Sequence, residues 1–272
     1  MPATPDSAAI TSVDVPASLL DILVQAQRVV VFTGAGVSAE SGISTFRDGN
    51  DGLWARFNPQ ELATQRAFRA NPARVWGWYE ARRAAIRRAT PNPGHHAIAG
   101  MARHFDALSV VTQNVDDLHE RAGSKDVRHL HGRLEQARCD RCNHPYPHAP
   151  EVVDAPEAEM MPPSCTRCAG LVRPGVVWFG EGLPEREWDA ALRQVHTCEV
   201  LLSVGTSALV YPAAELPNLA KSRGATVVQV NPNPTDLDKS SDFNLRGQAG
   251  VVLPAVLAAL DNAMPAGRQR PS

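Results

Sequence analysis

The sequence predicts an α/β fold in which helices surround a parallel sheet. Four apolar runs favour buried strands, and segments with helical periodicity lie between them; the runs span residues 29–32, 107–112, 200–204 and 226–230. Strands that alternate with helices in this way form parallel sheets. With 272 residues, of which 43% are apolar, the chain can bury a large core. We therefore expect one sizeable domain with an insertion, or two smaller domains.

A glycine-containing turn follows the first predicted strand. Gly34, Gly36 and Ala39 match the dinucleotide pattern G-x-G-x-x-G/A, and residues 37–40 can begin a helix. Backbone N–H groups at the start of a helix bind phosphate. A standard unit places an acidic residue about twenty positions further on, but residues 46–54 form a polar segment without a strand pattern. The sequence therefore predicts a phosphate site whose ribose is held in another way.

Polar or small residues also follow the other predicted strands. Ligands of open parallel sheets bind beyond the carboxyl ends of the strands. An amide or carboxylate at such a position can hold a ribose or an amide, and a histidine has a pKa suited to general-base catalysis. The residues are Gln113, Asn114 and Asp116 after the strand 107–112, His131 after a short strand at 127–130, Gly205, Thr206 and Ser207 after the strand 200–204, and Asn231 after the strand 226–230.

Four cysteines form two C-x2-C pairs, Cys139 with Cys142 and Cys165 with Cys168, separated by 22 residues. This spacing is typical of a tetrahedral zinc site with four thiolate ligands. With all four positions occupied by sulfur, the zinc has no open position, so we expect a structural role. Cys198 lies in an apolar strand region and is interpreted as a buried hydrophobic residue.

Helical patterns at 59–70, 73–89 and 96–104 predict a helical insertion between the first and second strands. Within it, Tyr79 and Arg82 lie three residues apart and share a helix face. A tyrosine hydroxyl beside a guanidinium can bind a carboxylate, because the guanidinium contacts both oxygens. A solvated arginine stripe explains the same residues, and both interpretations stay open at this point.

Residues 171–181 are extended and apolar. This segment suits a groove that pairs with a peptide strand. A strand of the core explains Val176 and Val177 equally well.

Charge and hydropathy narrow the classes of partner. The net charge of −2 and the pI near 6.5 argue against an extended nucleic-acid surface. The first fifteen residues lack a basic start and an apolar core of a signal peptide, and no apolar run reaches the roughly 18 residues of a membrane helix. We therefore expect a cytoplasmic protein without a membrane partner, with a disordered tail at 1–15 and a flexible tail at 265–272.

The chain resembles the sirtuins, which are NAD-dependent protein lysine deacylases. The resemblance covers about residues 18–262, and the matching motifs occur in the family's order. They are Gly34-Ala35-Gly36-Val37-Ser38 with Ser41-Gly42-Ile43 and Phe46-Arg47, Thr112-Gln113-Asn114-Val115-Asp116 with Leu118-His119, His131-Gly132, the four cysteines, Val177-Trp178-Phe179-Gly180-Glu181, Gly205-Thr206-Ser207, and Asn231.

This resemblance implies a Rossmann-like NAD-binding domain made of residues 16–46, 105–134 and 174–264. It also implies a smaller lobe, with a cofactor loop and helical insertion at 47–104 and a zinc-binding module at 135–173. NAD, consumed as a co-substrate, and an acylated lysine of a protein would meet between the two parts. One structural zinc would occupy the cysteine module.

The resemblance also implies roles for single residues. His131 would be the general base that activates a ribose hydroxyl, so that the acyl group leaves lysine as O-acyl-ADP-ribose after nicotinamide has departed. Asn114 would orient the ribose and a water, and Asp116 would bind the amide of nicotinamide. The implied cofactor contacts are Gly34, Ala35, Gly36, Ser38, Glu40, Phe46, Arg47, Trp54, Gln113, Val115, Gly205, Thr206, Ser207, Asn231, Pro232, Asn233 and Ala249. Asn233 departs from the acidic residue that family members often carry.

Tyr79 and Arg82 resemble the Tyr-x-x-Arg signature of class III sirtuins, which is associated with succinyl- and malonyl-lysine. We therefore expect desuccinylase and demalonylase activity, with weak deacetylase activity. Substrate contacts would come from Tyr79, Arg82 and the segment Val177, Trp178, Phe179, Gly180 and Glu181. Two alternatives on the same fold are a deacetylase-preferring sirtuin and a mono-ADP-ribosyltransferase. A nicotinamide-dependent oxidoreductase or a zinc-dependent nucleic-acid-binding module would not explain His131 together with Asn114 and Asp116.

Overall fold

The computed structural model describes residues 14–44, 58–147 and 158–264. Its strands are β1 Arg28–Thr33, β2 Ala107–Thr112, β3 Val127–His129, β4 Gly132–Cys139, β5 Pro145–Tyr146, β6 Val172–Val176, β7 Val200–Val204, β8 Thr226–Val230 and β9 Phe243–Leu245. Six parallel strands form one sheet in the order β3-β2-β1-β7-β8-β9, and three antiparallel strands form a second sheet in the order β5-β4-β6. The fold class predicted from the sequence is confirmed.

Strand β1 lies inside the large sheet, and its side chains are buried on both faces of the sheet. Strand β1 pairs with β2 on one side and with β7 on the other, and Val31 lies beside Val110 and Leu202. Its side chains alternate between two hydrophobic clusters, because successive side chains of a strand point to opposite faces. Val31 packs in one cluster and Phe32 in the other. A near-continuous apolar run is what a parallel strand buried on both faces requires.

Helices cover the two faces of the sheet. The described helices are Ala17–Gln25, Gly36–Ala39, Pro59–Leu62, Gln65–Ala70, Pro72–Arg88, Pro93–Met101, Leu118–Arg121, Glu185–Thr197, Leu216–Ser222 and Ala249–Ala263. No helix in these parts of the chain is long and apolar enough to cross a membrane.

The smaller lobe consists of the helices between 59 and 88 and the sheet β5-β4-β6. Phe68 and Trp78 from the helices pack with Leu134 of β4 and with Trp178, which follows β6. The predicted helix at 59–70 is interrupted, because Thr64 begins a new helix by accepting a hydrogen bond from the backbone N–H of Ala67 at 3.1 Å.

The helix Pro93–Met101 belongs to the large core. Its residues Ala97, Ile98 and Met101 pack in the same cluster as β1 and the last helix, Ala249–Ala263. The sequence-based division assigned this helix to the insertion at 47–104. We propose that the insertion ends before Pro93, and the other domain boundaries remain predictions.

Candidate active site

A cleft of about 420 Å³ opens where β1, β2, β7 and β8 end. Most of the cofactor contacts expected from the sequence line it, together with Ala39 of the predicted glycine motif and five residues that were not predicted. Phe46, Arg47 and Trp54 lie outside the described residues. The expected lining residues are Gly34, Ala35, Gly36, Glu40, Gln113, Asn114, His131, Gly205, Thr206, Ser207, Asn231, Pro232, Asn233 and Ala249, and the additional ones are Ala39, Val210, Val230, Pro234, Thr235 and Gln248.

The glycine turn after β1 packs directly against the turn after β7. The backbone N–H of Gly36 donates to the carbonyl oxygen of Gly205 at 2.8 Å. A Cβ atom on Gly34 would lie 2.8 Å from that oxygen, and a Cβ on Gly36 would lie 2.8 Å from the Cα of Gly205. The two glycines are therefore required for contact between the turns, whereas sequence reasoning assigned them to the approach of a pyrophosphate.

Asn114, Ser38 and Asp116 form a buried hydrogen-bond network at one end of the cleft. The Asn114 amide donates to the carbonyl oxygen of Gly34 and to Ser38 Oγ, both at 3.1 Å. Ser38 Oγ donates to one carboxylate oxygen of Asp116 at 3.1 Å, and the backbone N–H of Leu118 donates to the other at 3.2 Å. Burial raises the pKa of Asp116. The network fixes the orientation of both side chains before any ligand binds.

His131 lies at the junction of the cleft with a second cavity. Its Nδ1 is 3.0 Å from the carbonyl oxygen of Gln113, which can only accept, so Nδ1 carries a proton. The basic nitrogen of the neutral ring is therefore Nε2. Burial lowers the pKa of His131, so the ring is neutral at physiological pH. A neutral imidazole in this tautomer can act as a general base.

Two further histidines lie behind this network. His95 and His119 are fully buried, and their ring centroids are 4.9 Å apart. Burial lowers the pKa of His95 to about 4 and the pKa of His119 well below its ordinary value. His95 Nε2 lies 3.5 Å from Ser38 Oγ. His119 follows Leu118 in one of the motifs that resemble the family, but no local sequence signal shows that it packs against His95, because tertiary packing alone brings the two together.

His129 supports the loop after β2 from the other side. Its Nδ1 donates to the carbonyl oxygen of Asn114 at 3.0 Å, and its Nε2 lies 2.9 Å from a carboxylate oxygen of Glu120. His129 and His131 thus hold the carbonyl groups of two consecutive residues, Asn114 and Gln113. The spacing of His129 and His131, two residues apart, is a sequence signal from which the supporting role of His129 could have been predicted.

A second cavity of about 200 Å³ adjoins the first. Gln113, His131 and Val210 line both cavities, so the two spaces meet at His131. Two residues of the smaller lobe, Tyr79 and Arg82, line the second cavity together with largely apolar neighbours. The other lining residues are Ala63, Val115, Val176, Val177, Trp178, Phe179, Gly180, Glu181, Leu183, Tyr211 and Pro212.

Tyr79 and Arg82 share one face of the helix Pro72–Arg88, as predicted. Tyr79 is 6% exposed, and its hydroxyl oxygen accepts a hydrogen bond from Trp178 Nε1 at 3.0 Å. Burial raises the pKa of Tyr79 to about 12. Arg82 lies 5.1 Å from the centre of the Trp78 ring, and burial lowers its pKa to about 10. Both groups keep their protons at neutral pH, so the cavity contains a cation and a hydroxyl donor.

Glu181 makes an internal ion pair. Its carboxylate accepts from Arg173 Nη2 at 3.0 Å and from the backbone N–H of Trp178 at 2.9 Å. Its side chain holds the loop after β6, and Glu181 also lines the second cavity, so the expected contact with a peptide substrate stays a prediction. In the same loop, Phe179 is 43% exposed, and Gly180 has a positive φ of 87° with no atom of the described residues within 4 Å of its Cβ position.

The four cysteines converge on one point, as the sequence predicts. Their sulfur atoms lie within 4.8 Å of one another, with Cys139 and Cys168 at 3.4 Å and Cys142 and Cys165 at 3.8 Å. Four sulfurs at ~2.3 Å from a tetrahedral zinc would be about 3.8 Å apart. The sulfur arrangement therefore fits one zinc ion with a closed coordination sphere. This module tethers β4, which carries Cys139, to the segment before β6.

The amino-acid sequence is similar to a known protein family and to its members. The Sir2 family domain matches residues 34–212. The chain is 54% identical to an NAD-dependent protein deacylase of Methylococcus capsulatus over 91% of this chain and 98% of the relative. It is 52% identical to an NAD-dependent protein deacylase of Mycobacterium tuberculosis over 86% of this chain and 98% of the relative.

Solved structures of the same family superpose on this chain. A crystal structure of a Sir2 homolog–NAD complex superposes with a TM-score of 0.84 at 43% identity, over 93% of this chain and 96% of that chain. The structure of Sir2Af2 bound to a myristoylated histone peptide gives a TM-score of 0.71 at 35% identity, over 90% of this chain and 95% of that chain. With its parallel sheet, its cysteine cluster and its histidine between two cavities, the chain belongs to the Sir2 family.

Proposed function

We propose that this protein is an NAD-dependent protein-lysine deacylase that prefers succinyl and malonyl groups. The observation that carries the acyl preference is the cavity lined by Tyr79 and Arg82, which meets the larger cleft at His131. The names of the curated relatives support the NAD-dependent deacylase activity. The preference for an acidic acyl group is inferred from the side chains of this chain.

The larger cleft has the chemistry that a dinucleotide needs. Its volume of about 420 Å³ is within the usual range for small-molecule sites. Backbone turns at Gly34 and Gly205, with the hydroxyls of Thr206 and Ser207, can bind phosphate and ribose oxygens, and Asn231 can bind the second ribose. When bound, NAD supplies a ribose carbon with nicotinamide as its leaving group. Tight packing between the glycine turns keeps these donors in place before the cofactor arrives.

His131 and its neighbours have complementary tasks in this proposal. Nε2 of His131 accepts the proton of a ribose hydroxyl, while Nδ1–H stays on the carbonyl oxygen of Gln113. Asn114 orients the ribose and a water molecule, and Asp116 binds the nicotinamide amide. Both side chains are held by Ser38, so they need no rearrangement when the reaction begins.

The second cavity selects the acyl group. A short acyl chain that ends in a carboxylate can pair with the guanidinium of Arg82 and accept a hydrogen bond from the Tyr79 hydroxyl. Burial lowers the pKa of Arg82 to about 10, which shows that this cation is costly to keep in the cavity, so a carboxylate gains more here than in water. Hydrogen bonds to charged groups contribute about 1.5–3 kcal/mol, which corresponds to about 10- to 150-fold in kcat/KM. An acetyl group has no carboxylate, so its binding gains none of this free energy.

The test compares matched succinyl-, malonyl- and acetyl-lysine peptides by mass spectrometry, with and without NAD. We expect Arg82→Met to lower kcat/KM for the succinylated peptide by about 10- to 150-fold and to leave deacetylation unchanged or raised. Arg87→Met is the matched control, since Arg87 lies on the exposed face of the same helix and pairs with Glu135. Unchanged desuccinylation with reduced deacetylation in Arg82→Met would contradict the acyl preference. A wild-type preference for acetyl would keep the deacylase and reject the acidic acyl group.

A further inference from the structure

The indole of Trp178 lines the second cavity, which we call the acyl cavity, and contacts Tyr79. The Trp178 side chain is 1% exposed, and its Nε1 lies 3.0 Å from the Tyr79 hydroxyl oxygen. An indole N–H can only donate, so the tyrosine oxygen is the acceptor. This contact occupies an acceptor site of Tyr79 and turns the tyrosine's own O–H away from the indole. Within the described residues, that O–H donates to no protein acceptor.

We propose that Trp178 is a positioning residue for acyl specificity, because its N–H fixes the Tyr79 hydroxyl as a donor directed at the acyl carboxylate. This inference rests on the proposed preference for acidic acyl groups. Trp178 then does more than line the cavity, because its N–H determines whether the Tyr79 hydroxyl faces the acyl group as a donor or as an acceptor. A carboxylate substrate needs the proton.

Three groups hold the indole in the orientation that this role requires. The backbone N–H of Trp178 donates to Glu181 at 2.9 Å. The guanidinium of Arg173 lies 3.4 Å from the centre of the Trp178 ring and also pairs with Glu181. The Phe68 ring packs beside the indole, with its centroid 5.3 Å from that of Trp178. The internal Arg173–Glu181 pair thus supports the indole.

The hydrogen bond from Trp178 also strengthens the tyrosine as a donor. A hydroxyl whose oxygen accepts a hydrogen bond becomes more polarised, so its own donated bond is stronger. Since burial keeps the pKa of Tyr79 near 12, the hydroxyl remains protonated throughout the working pH range. An acetyl group offers no carboxylate to this donor, so its turnover does not depend on the direction of the Tyr79 O–H.

The substitution Trp178→Phe removes the N–H and keeps an aromatic ring. We expect it to raise KM for a succinylated peptide about 3- to 10-fold more than KM for the acetylated peptide, with a smaller effect on kcat than on KM. The experiment is a double-mutant cycle with wild type, Trp178→Phe, Tyr79→Phe and the double variant, each measured with both peptides. In the Tyr79→Phe background, Trp178→Phe should have no further effect on the succinylated peptide.

Two results would overturn the inference: equal losses for both peptides, or the same loss from Trp178→Phe with and without the Tyr79 hydroxyl. Replacement of Trp178 by benzothienylalanine, whose sulfur takes the place of the N–H in a ring of the same shape, repeats the test if Trp178→Phe unfolds the protein. Failure of the proposed function is visible separately, because wild type would then show no preference for the succinylated peptide and Arg82→Met would not change it.

Discussion

A buried ion pair on the helix Pro72–Arg88 permits a sharp test of how the smaller lobe is stabilised. Glu80 and Arg83 are each 1% exposed and form an ion pair within one turn of the helix. Arg83 Nε also donates to the carbonyl oxygen of Leu134 at 2.8 Å, so the pair connects the helix to β4. Burial lowers the pKa of Arg83, which reflects the cost of keeping this cation out of water. We select Glu80→Gln, which removes the anion and keeps the volume.

The expected loss is large because the remaining cation stays buried. Breaking a buried pair by removing one partner costs about 3–5 kcal/mol, whereas an exposed pair contributes about 0–1 kcal/mol. For a chain of this size, each kcal/mol lowers Tm by roughly 2–4 °C. Glu80→Gln should therefore lower Tm by about 6–20 °C. Replacing both residues with leucine should recover most of the loss, because the unpaired charge is then absent.

The assay is thermal unfolding followed by circular dichroism, supported by urea titration. The matched control is Glu135→Gln on the same lobe, which removes the partner of Arg87 from a pair at 3.5 Å with side chains 33% and 43% exposed. It should lower Tm by no more than about 4 °C. If Glu80→Gln and Glu135→Gln lower Tm equally, the buried pair does not stabilise the lobe in the way we describe.

Four further predictions concern the site. Burial lowers the pKa of His131, so the acid limb of kcat/KM for a succinylated peptide should have its midpoint below pH 6.5; a midpoint above that value would refute the buried base. The pKa of His95 is lowered to about 4, so the unfolded chain binds more protons than the native protein as pH falls from 6.5. Urea titrations should show stability, fully present above pH 6.5, falling by up to about 1.4 kcal/mol per pH unit for each such histidine, and a flat profile would contradict this. Gly36→Ala should abolish NAD-dependent turnover and lower Tm, since the added Cβ would lie 2.8 Å from the Gly205 backbone. Gly182→Ala, whose Cβ would have no atom of the described residues within 4 Å, should do neither, and equal effects would reject the argument. Metal analysis should find one zinc per chain, and its removal by a chelator should melt the sheet β5-β4-β6; a fully folded metal-free protein would exclude a structural zinc.

The elements that the sequence predicted best are those whose burial leaves a local pattern. The core strands β1, β2, β7 and β8 match their apolar runs to within one residue at each end, because parallel strands covered on both faces are apolar throughout. Strand β9, Phe243–Leu245, was not predicted. It has only three residues, and its place in the sheet depends on pairing with β8, which no local pattern records.

The arginine-rich helix shows where the sequence was ambiguous. A solvated stripe and a carboxylate clamp were both consistent with the arginines near Tyr79. Arg87 and Arg88 are exposed, as a solvated stripe requires, whereas Arg83 is buried in an ion pair and Arg82 lines the acyl cavity. Helical spacing predicts which side chains share a face, but it does not predict which neighbouring element covers that face. The roles of Glu181, His95 and His119 were beyond sequence reasoning for the same reason.

The meeting of two cavities at His131 has a consequence for ligand design. Gln113, His131 and Val210 line both spaces, so a single molecule can pass from one to the other along this edge. A compound that joins a carboxylate tail for the Arg82 cavity to an adenosine-like head for the larger cleft would place its second half at an effective concentration in the millimolar range. Such a bisubstrate ligand would gain affinity from the tether alone, and its tail would distinguish this protein from relatives whose acyl cavity lacks an arginine.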